Sequence, residues 1–270
     1  MSFFEKLFPS GKKPESVPEN EQEKQTSNME RQAEFTVRQL SVPVQRIMEK
    51  LSPVLESGEI QLIVGDDASG RIPTAIFRKI FDMAYKERGF ITPETRFIAG
   101  SAFLQGEDKE EKKKKITEYF KRVKSDVEKK FGRTLGKAII VTDTVVTGVS
   151  LDPMIEVLHE MGVQTTIASI GVLTDEKGIC ELEERWSSPP PLGGMEHTPS
   201  VYASETFSGV FKKPRDLFAQ PFAREGVVGK FGQKGNQKMI NKTRELGDLV
   251  AEEAYEKWKM FRNREETGEK

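Results

Sequence analysis

Two stretches of this chain constrain its fold more than any others. Ile60–Val64 and Ala138–Val141 are apolar runs, broken only at Gln61, and each passes through a short polar, glycine-bearing loop into an amphipathic segment. Such runs mark strands buried on both faces, the habit of a parallel sheet covered by helices. The first loop is GDDASGR, residues 65–71, and the helical pattern after it, Ile72–Arg88, carries Ile76, Ile80, Phe81 and Ala84 on one face and stops at Gly89. The second is TDTVVTGVS, residues 142–150, followed by a helical pattern from Leu151 to Met161 that stops at Gly162.

The intervening and following segments keep the alternation. Thr95–Ala102 reads as a strand, Glu107–Phe131 as a charged helix with an apolar stripe of Ile116, Tyr119, Phe120, Val123, Val127 and Phe131, and Gln164–Leu173 as a fourth strand. Upstream, Phe35, Leu40, Val44, Ile47 and Leu51 recur at helical spacing, with Pro43 predicting a kink or break and Ser57-Gly58 an end. The fold class is therefore α/β, a parallel sheet with helices on both faces and helical extensions at each end. Three regions are expected: a disordered tail over 1–28, one α/β domain over 29–235 with N-terminal helices and a variable region at its end, and a C-terminal helix over 236–270. The stretch from 187 to 235 has no assignable pattern.

Composition narrows the partners. The net charge is -1, so a surface built throughout for nucleic acid is excluded, and the Lys112–Lys115 run lies beside Glu107, Asp108, Glu110 and Glu111, which marks a solvated helix face. The single cysteine, Cys180, rules out an internal disulfide and any zinc site of paired cysteines; a buried, inert thiol in a reducing compartment is expected. No apolar run is long enough to cross a bilayer, and Met1–Ser10 lacks the order of a secretory signal, so the cytoplasm is the expected location. The opening MSFFEKLF reads as a weakly ordered end rather than a membrane anchor.

In parallel sheets of this kind ligands bind beyond the carboxyl ends of the strands, where both loops are expected. The second loop has what an anion site requires: free N–H groups at a helix start, Gly148 to let the backbone approach an oxyanion, and the Thr147 and Ser150 hydroxyls. Asp143 would repel a phosphate at close range, so its partners are hydroxyls or a metal ion. A sugar phosphate meets both demands. The competing reading is a helix capped by Thr147 or Ser150 with no ligand; for the first loop it is a polar turn.

The string AIIVTDTVVTGVSL resembles the phosphoribosyl-pyrophosphate loop of type I phosphoribosyltransferases: four apolar residues, an acidic pair, two apolar residues, then Thr-Gly-x-Ser/Thr. Thr142 replaces the first acid of the pair, Asp143 keeps the second, and Val146 stands where many members carry a proton-transferring carboxylate. VGDDASGRIP, residues 64–73, is similar to the family's pyrophosphate loop in place and kind. The resemblance covers about Glu59–Leu173. It implies a phosphoribosyltransferase-like core, a Mg²⁺ cofactor and transfer of phosphoribosyl from its pyrophosphate to a nitrogenous base, a step of nucleotide metabolism.

The resemblance further implies that Asp143, Thr144, Val145, Val146, Thr147, Gly148, Val149 and Ser150 bind the sugar phosphate. Ser69, Gly70 and Arg71 would bind pyrophosphate; Asp66, Asp67 and Asp143 would serve the metal; Asp143 and Arg71 would act in the reaction. The segment Leu104–Lys115 would close over the site. Phosphoribosyl pyrophosphate or a nucleotide monophosphate is the implied ligand, and a homodimer is compatible with it. Two other readings stand beside this one: a regulatory protein of the same fold that binds the ligand without catalysis, and a doubly wound domain for another phosphate ligand. Trp186, Tyr202 and Phe207 are candidates to stack on a base but read as core, and His159 and His197 read as structural or surface groups.

Overall fold

The computed structural model describes residues 31, 34–35, 37–66, 70–98, 109–195, 210–211, 220–221 and 225–267, with the backbone alone at 109, 112, 194–195, 210–211, 220–221, 225–240 and 264–267. The expected tail over 1–28, the strand end beyond Ile98, the segment 99–108 and the aromatic candidates Tyr202 and Phe207 lie outside these residues. The elements run α1 (Ser41–Ser57), β1 (Leu62–Asp66), α2 (Arg71–Glu87), β2 (Glu94–Ile98), α3 (Lys109–Phe131), β3 (Lys137–Val145), α4 (Asp152–Glu160), β4 (Gln164–Val172), α5 (Glu176–Trp186), β5 (Leu192–Met195), β6 (Val210–Phe211), β7 (Gln220–Pro221) and α6 (Glu225–Thr267).

β1 to β5 form one parallel sheet in the order β2-β1-β3-β4-β5, while β6 and β7 make a separate antiparallel pair. The strand side chains alternate between two cores, as the two-residue pleat requires. Ile63, Ile139, Val141, Ala168 and Ile170 face α1, α2 and α6. Leu62, Val64, Ala138, Ile140 and Ile167 face α3, α4 and α5. Every strand of the centre is thus buried on both faces, and this is why the sequence shows unbroken apolar runs there.

The chain leaves β1 through α2 to one neighbour, β2, and reaches its other neighbour, β3, through α3 on the opposite face. The sheet order therefore reverses between β1 and β3, the point at which sheets of this kind open a crevice beyond the carboxyl ends of the strands.

Several elements differ from the sequence expectation. β3 continues to Val145, because the β-branched Thr142, Thr144 and Val145 pair in register with Ser169, Gly171 and Val172 of β4; the loop proper begins at Val146. Pro43 lies in the first turn of α1, where its missing N–H costs nothing, and the turn preceding the helix falls at Gln39–Leu40. The unassigned region contributes a fifth strand of only four residues, and α6 begins at Glu225 rather than 236. Cys180, expected to be buried, is exposed on α5, whose inward stripe is carried by Leu182 and Trp186 instead.

α6 is part of the main core. Leu246, Val250, Ala251, Ala254, Tyr255 and Trp258 form its buried stripe against α1 and α2. The lysine run expected on a solvated face is used in part for packing: Lys113 bridges Glu156 and Glu160 of α4 at 2.8 and 2.9 Å.

Candidate functional site

Both loops singled out in the sequence leave the sheet at the switch point, side by side. Leu62–Gly65 pairs with Ala138–Val141, so Asp66 ends β1 at the level where Thr142 continues β3. The first loop turns back tightly: the Gly70 N–H donates to the Asp66 carbonyl at 2.8 Å. A Cβ on Gly70 would stand 2.6 Å from that carbonyl and 2.7 Å from the carbonyl of Val141. Only glycine lets this loop press against β3, so Gly70 joins the two loops into one crevice.

Asp66 is 6% exposed and Thr142 only 1%. The Thr142 hydroxyl lies 3.3 Å from Asp66 Oδ2 and 3.4 Å from Asp143 Oδ1, so two carboxylates share one hydroxyl neighbour. Asp143 Oδ1 also accepts the Thr144 N–H at 2.7 Å, which fixes its rotamer. A magnesium ion ordinarily keeps several waters and takes one or two protein carboxylates together with substrate phosphates. Asp66 and Asp143 fit that donor set. The described residues contain no group of three or more His, Cys, Asp or Glu side chains that could hold a metal by themselves. Asp67 and Ser69 lie outside the described residues.

Past Val145 the chain makes the bend expected of an anion cradle. Gly148 has φ +68°, in the left-handed region, and α4 starts at Asp152 without a side-chain cap at its N-cap residue, Leu151. Among the described residues, none accepts a hydrogen bond from the backbone N–H of Thr147, Gly148, Val149 or Ser150. A row of unpaired amides ahead of a helix start is a surface of partial positive charge. Capping by Thr147 or Ser150, the competing reading, does not occur.

Two of the expected site residues, Val145 and Arg71, sit differently from the sequence reading, whereas Trp186 lies in the core, as read. The Val145 side chain is 1% exposed and belongs to the core against α4, so only its backbone borders the crevice. Arg71, the first residue of α2, stacks its guanidinium 4.7 Å from the centre of the Phe97 ring and so leans to the β2 side of β1, away from residues 147–150. Trp186 is buried, and its ring covers the face of Gly148 that a Cβ would need.

Sequence reasoning missed the group that braces this bend. The Trp186 indole N–H donates to Asp152 Oδ1 at 2.7 Å, Arg185 Nε pairs with the same oxygen at 3.1 Å, and a terminal nitrogen of Arg185 donates to the Thr147 carbonyl. No local motif announces a contact across more than 30 residues of chain; the only signal was a tryptophan and an arginine at the end of an amphipathic helix.

At the opposite, amino-terminal end of the strands a second depression of about 580 Å³ is lined by residues that include Lys137, His159, Thr165 and Ser188. His159 Nε2 lies 2.9 Å from Thr165 Oγ1, and burial pulls its pKa below the ordinary value. His159 is remote from both loops, as its structural reading requires. No helix among the described residues is long and apolar enough to cross a membrane. Neither a protein-family model nor a curated protein sequence matches the chain.

Proposed function

We propose that the crevice between β1 and β3 binds phosphoribosyl pyrophosphate with Mg²⁺ and that the protein transfers the phosphoribosyl group to a nitrogenous base or related acceptor. The observation that carries this reading is the meeting of two chemically different loops at one switch point. The β3 segment offers Asp143 and the unpaired amides at 147–150, and the β1 loop offers Asp66, which shares the Thr142 hydroxyl with Asp143. A ligand with a phosphate at one end, hydroxyls in the middle and a metal-bound diphosphate at the other suits this order of groups.

In this reading the amides of Thr147–Ser150 hold the 5′-phosphate and Asp143 accepts hydrogen bonds from ribose hydroxyls. Asp66 and Asp143 would hold magnesium through water, which would neutralise the departing pyrophosphate. Arg71 would swing from Phe97 to the same diphosphate. A C1–N bond forms as the C1–O bond to pyrophosphate breaks, through a cation-like ribose, so the protein's contribution is positioning and charge. Val146, Val149 and Leu173 are exposed at the mouth by 51, 37 and 41%, which suits an acceptor with an apolar face.

A second reading rests on Val146. A valine there cannot move a proton, and this favours a regulatory protein that binds the ligand without turning it over. Calorimetric titration with phosphoribosyl pyrophosphate and Mg²⁺, followed by a pyrophosphate-release assay over a panel of bases, separates the readings. Transfer predicts binding and release with one acceptor class; regulation predicts binding alone; absence of binding removes both. Asp143→Asn and Arg71→Ala should each weaken binding, and unchanged affinity in both would refute the assignment of these groups.

A further inference from the structure

The Asp152 carboxylate occupies the first turn of α4, directly after the free amides of 147–150. An aspartate at this place is the natural competitor for an anion site. Its negative charge is drawn to the partial positive charge of the helix start and repels any phosphate that approaches there. Yet Leu151, the N-cap residue, receives no side-chain cap, and Asp152 Oδ1 faces α5 instead. There it is held by two donors, the Trp186 indole at 2.7 Å and Arg185 Nε at 3.1 Å. Arg185 also donates to the Thr147 carbonyl, so the guanidinium that neutralises the competing acid lies against the loop itself.

We infer that Arg185 and Trp186 are positioning residues that hold the Asp152 carboxylate off the anion cradle, so that the end of α5 sets the affinity of the loop for a phosphate. The inference rests on the proposed phosphate-binding role of residues 147–150. It differs from simple packing in one respect: the penalty for losing Arg185 comes from the charge of Asp152, so removing that charge removes the penalty.

The test is calorimetric binding of ribose 5-phosphate to the full chain and to Arg185→Gln, Asp152→Asn and the Arg185→Gln/Asp152→Asn double variant, with folding checked by circular dichroism. Arg185→Gln should weaken binding about tenfold, as expected for a released carboxylate acting at a helix start. Asp152→Asn alone should bind at least as well as the parent, and the double variant should recover to within about twofold of it. Recovery is the decisive readout, because a neutral side chain at 152 cannot rebuild a loop that had merely loosened. Trp186→Phe with and without Asp152→Asn repeats the comparison if Arg185→Gln does not fold. A parent protein that fails to bind ribose 5-phosphate overturns the phosphate-site reading itself. A parent that binds, with Arg185→Gln unchanged or with no recovery in the double variant, overturns this inference alone.

Discussion

The Thr142 hydroxyl reaches Asp66 Oδ2 at 3.3 Å across the junction of β3 and β1, and both side chains are buried. A carboxylate at 142 would face the Asp66 carboxylate at hydrogen-bond range between buried groups, and one of them would have to take up a proton.

Thr142→Val should therefore cost about 1–3 kcal/mol, the usual penalty for stripping a donor from a buried polar group. Thr142→Asp should cost more at neutral pH and recover as the pH is lowered and one carboxyl protonates. Urea unfolding of the three proteins at pH 7 and pH 5 measures both effects. Equal stability of Thr142→Asp and the parent at pH 7 would mean that the two side chains are not in contact.

Gly148 combines a positive φ with a Cβ direction already filled by Trp186 and by Leu182, whose Cδ2 would be 2.7 Å away. Gly148→Ala should lose about 1–2 kcal/mol from the backbone alone and about 1–3 more from overpacking. The second part should vanish when Trp186 is also truncated. A double-mutant cycle of Gly148→Ala with Trp186→Ala should show a coupling of at least about 1 kcal/mol; additive losses would place the indole elsewhere.

What could be read from the chain in advance follows from how locally each feature is encoded. Ile63, Ile139 and Ile140 lie on both sides of a doubly covered sheet, so their strands appear as apolar runs, and Gly89 and Gly162 punctuate the helices between them. The site was legible only where its parts are contiguous: Gly148 makes the bend that the loop reading placed there, while Asp143 lies inside β3. The end of β3 was misjudged because Thr142–Val145 looks like a loop by hydroxyl content, whereas its β-branched residues pair with β4. The bracing of the loop by Arg185 and Trp186 was illegible, because long-range contacts leave no periodic trace. β5 was missed for a related reason: Leu192–Met195 is short and glycine-rich, and it exists only because β4 offers an edge.

His159 offers a pH test independent of any ligand. Burial lowers its pKa in the folded chain, so the unfolded chain binds the proton more readily. This contribution to stability is fully present above the ordinary histidine pKa of about 6.5 and is lost as the pH falls from there through the lower folded value. His159→Gln keeps a partner for Thr165 and should flatten that part of the decline. Thermal melts of both proteins between pH 7.5 and pH 5 give the comparison, and parallel curves would show that His159 titrates normally.

The C-terminal helix is the last place where sequence and structure assign different roles, an extension in the one and a core element in the other. Trp258 is 1% exposed, donates from its indole N–H to Ser52 Oγ of α1 at 2.9 Å, and has the Arg88 guanidinium 5.2 Å from its ring. Tyr255 adds a hydrogen bond to Glu87 at the end of α2, which holds that carboxyl below its usual value; burial, together with this bond to a carboxylate, pushes the phenol up to about 12. A helix with these contacts covers one face of the sheet, so its loss would expose Ile76, Ile80 and Leu51 together. Trp258→Ala should cost about 3–5 kcal/mol, and Trp258→Phe less, since it keeps most of the ring and leaves Ser52 its hydrogen bond to Glu56. A chain ending before α6 should fail to give a cooperative unfolding transition. If instead that chain melts cooperatively near the parent's temperature, α6 is an appendage and the core closes without it.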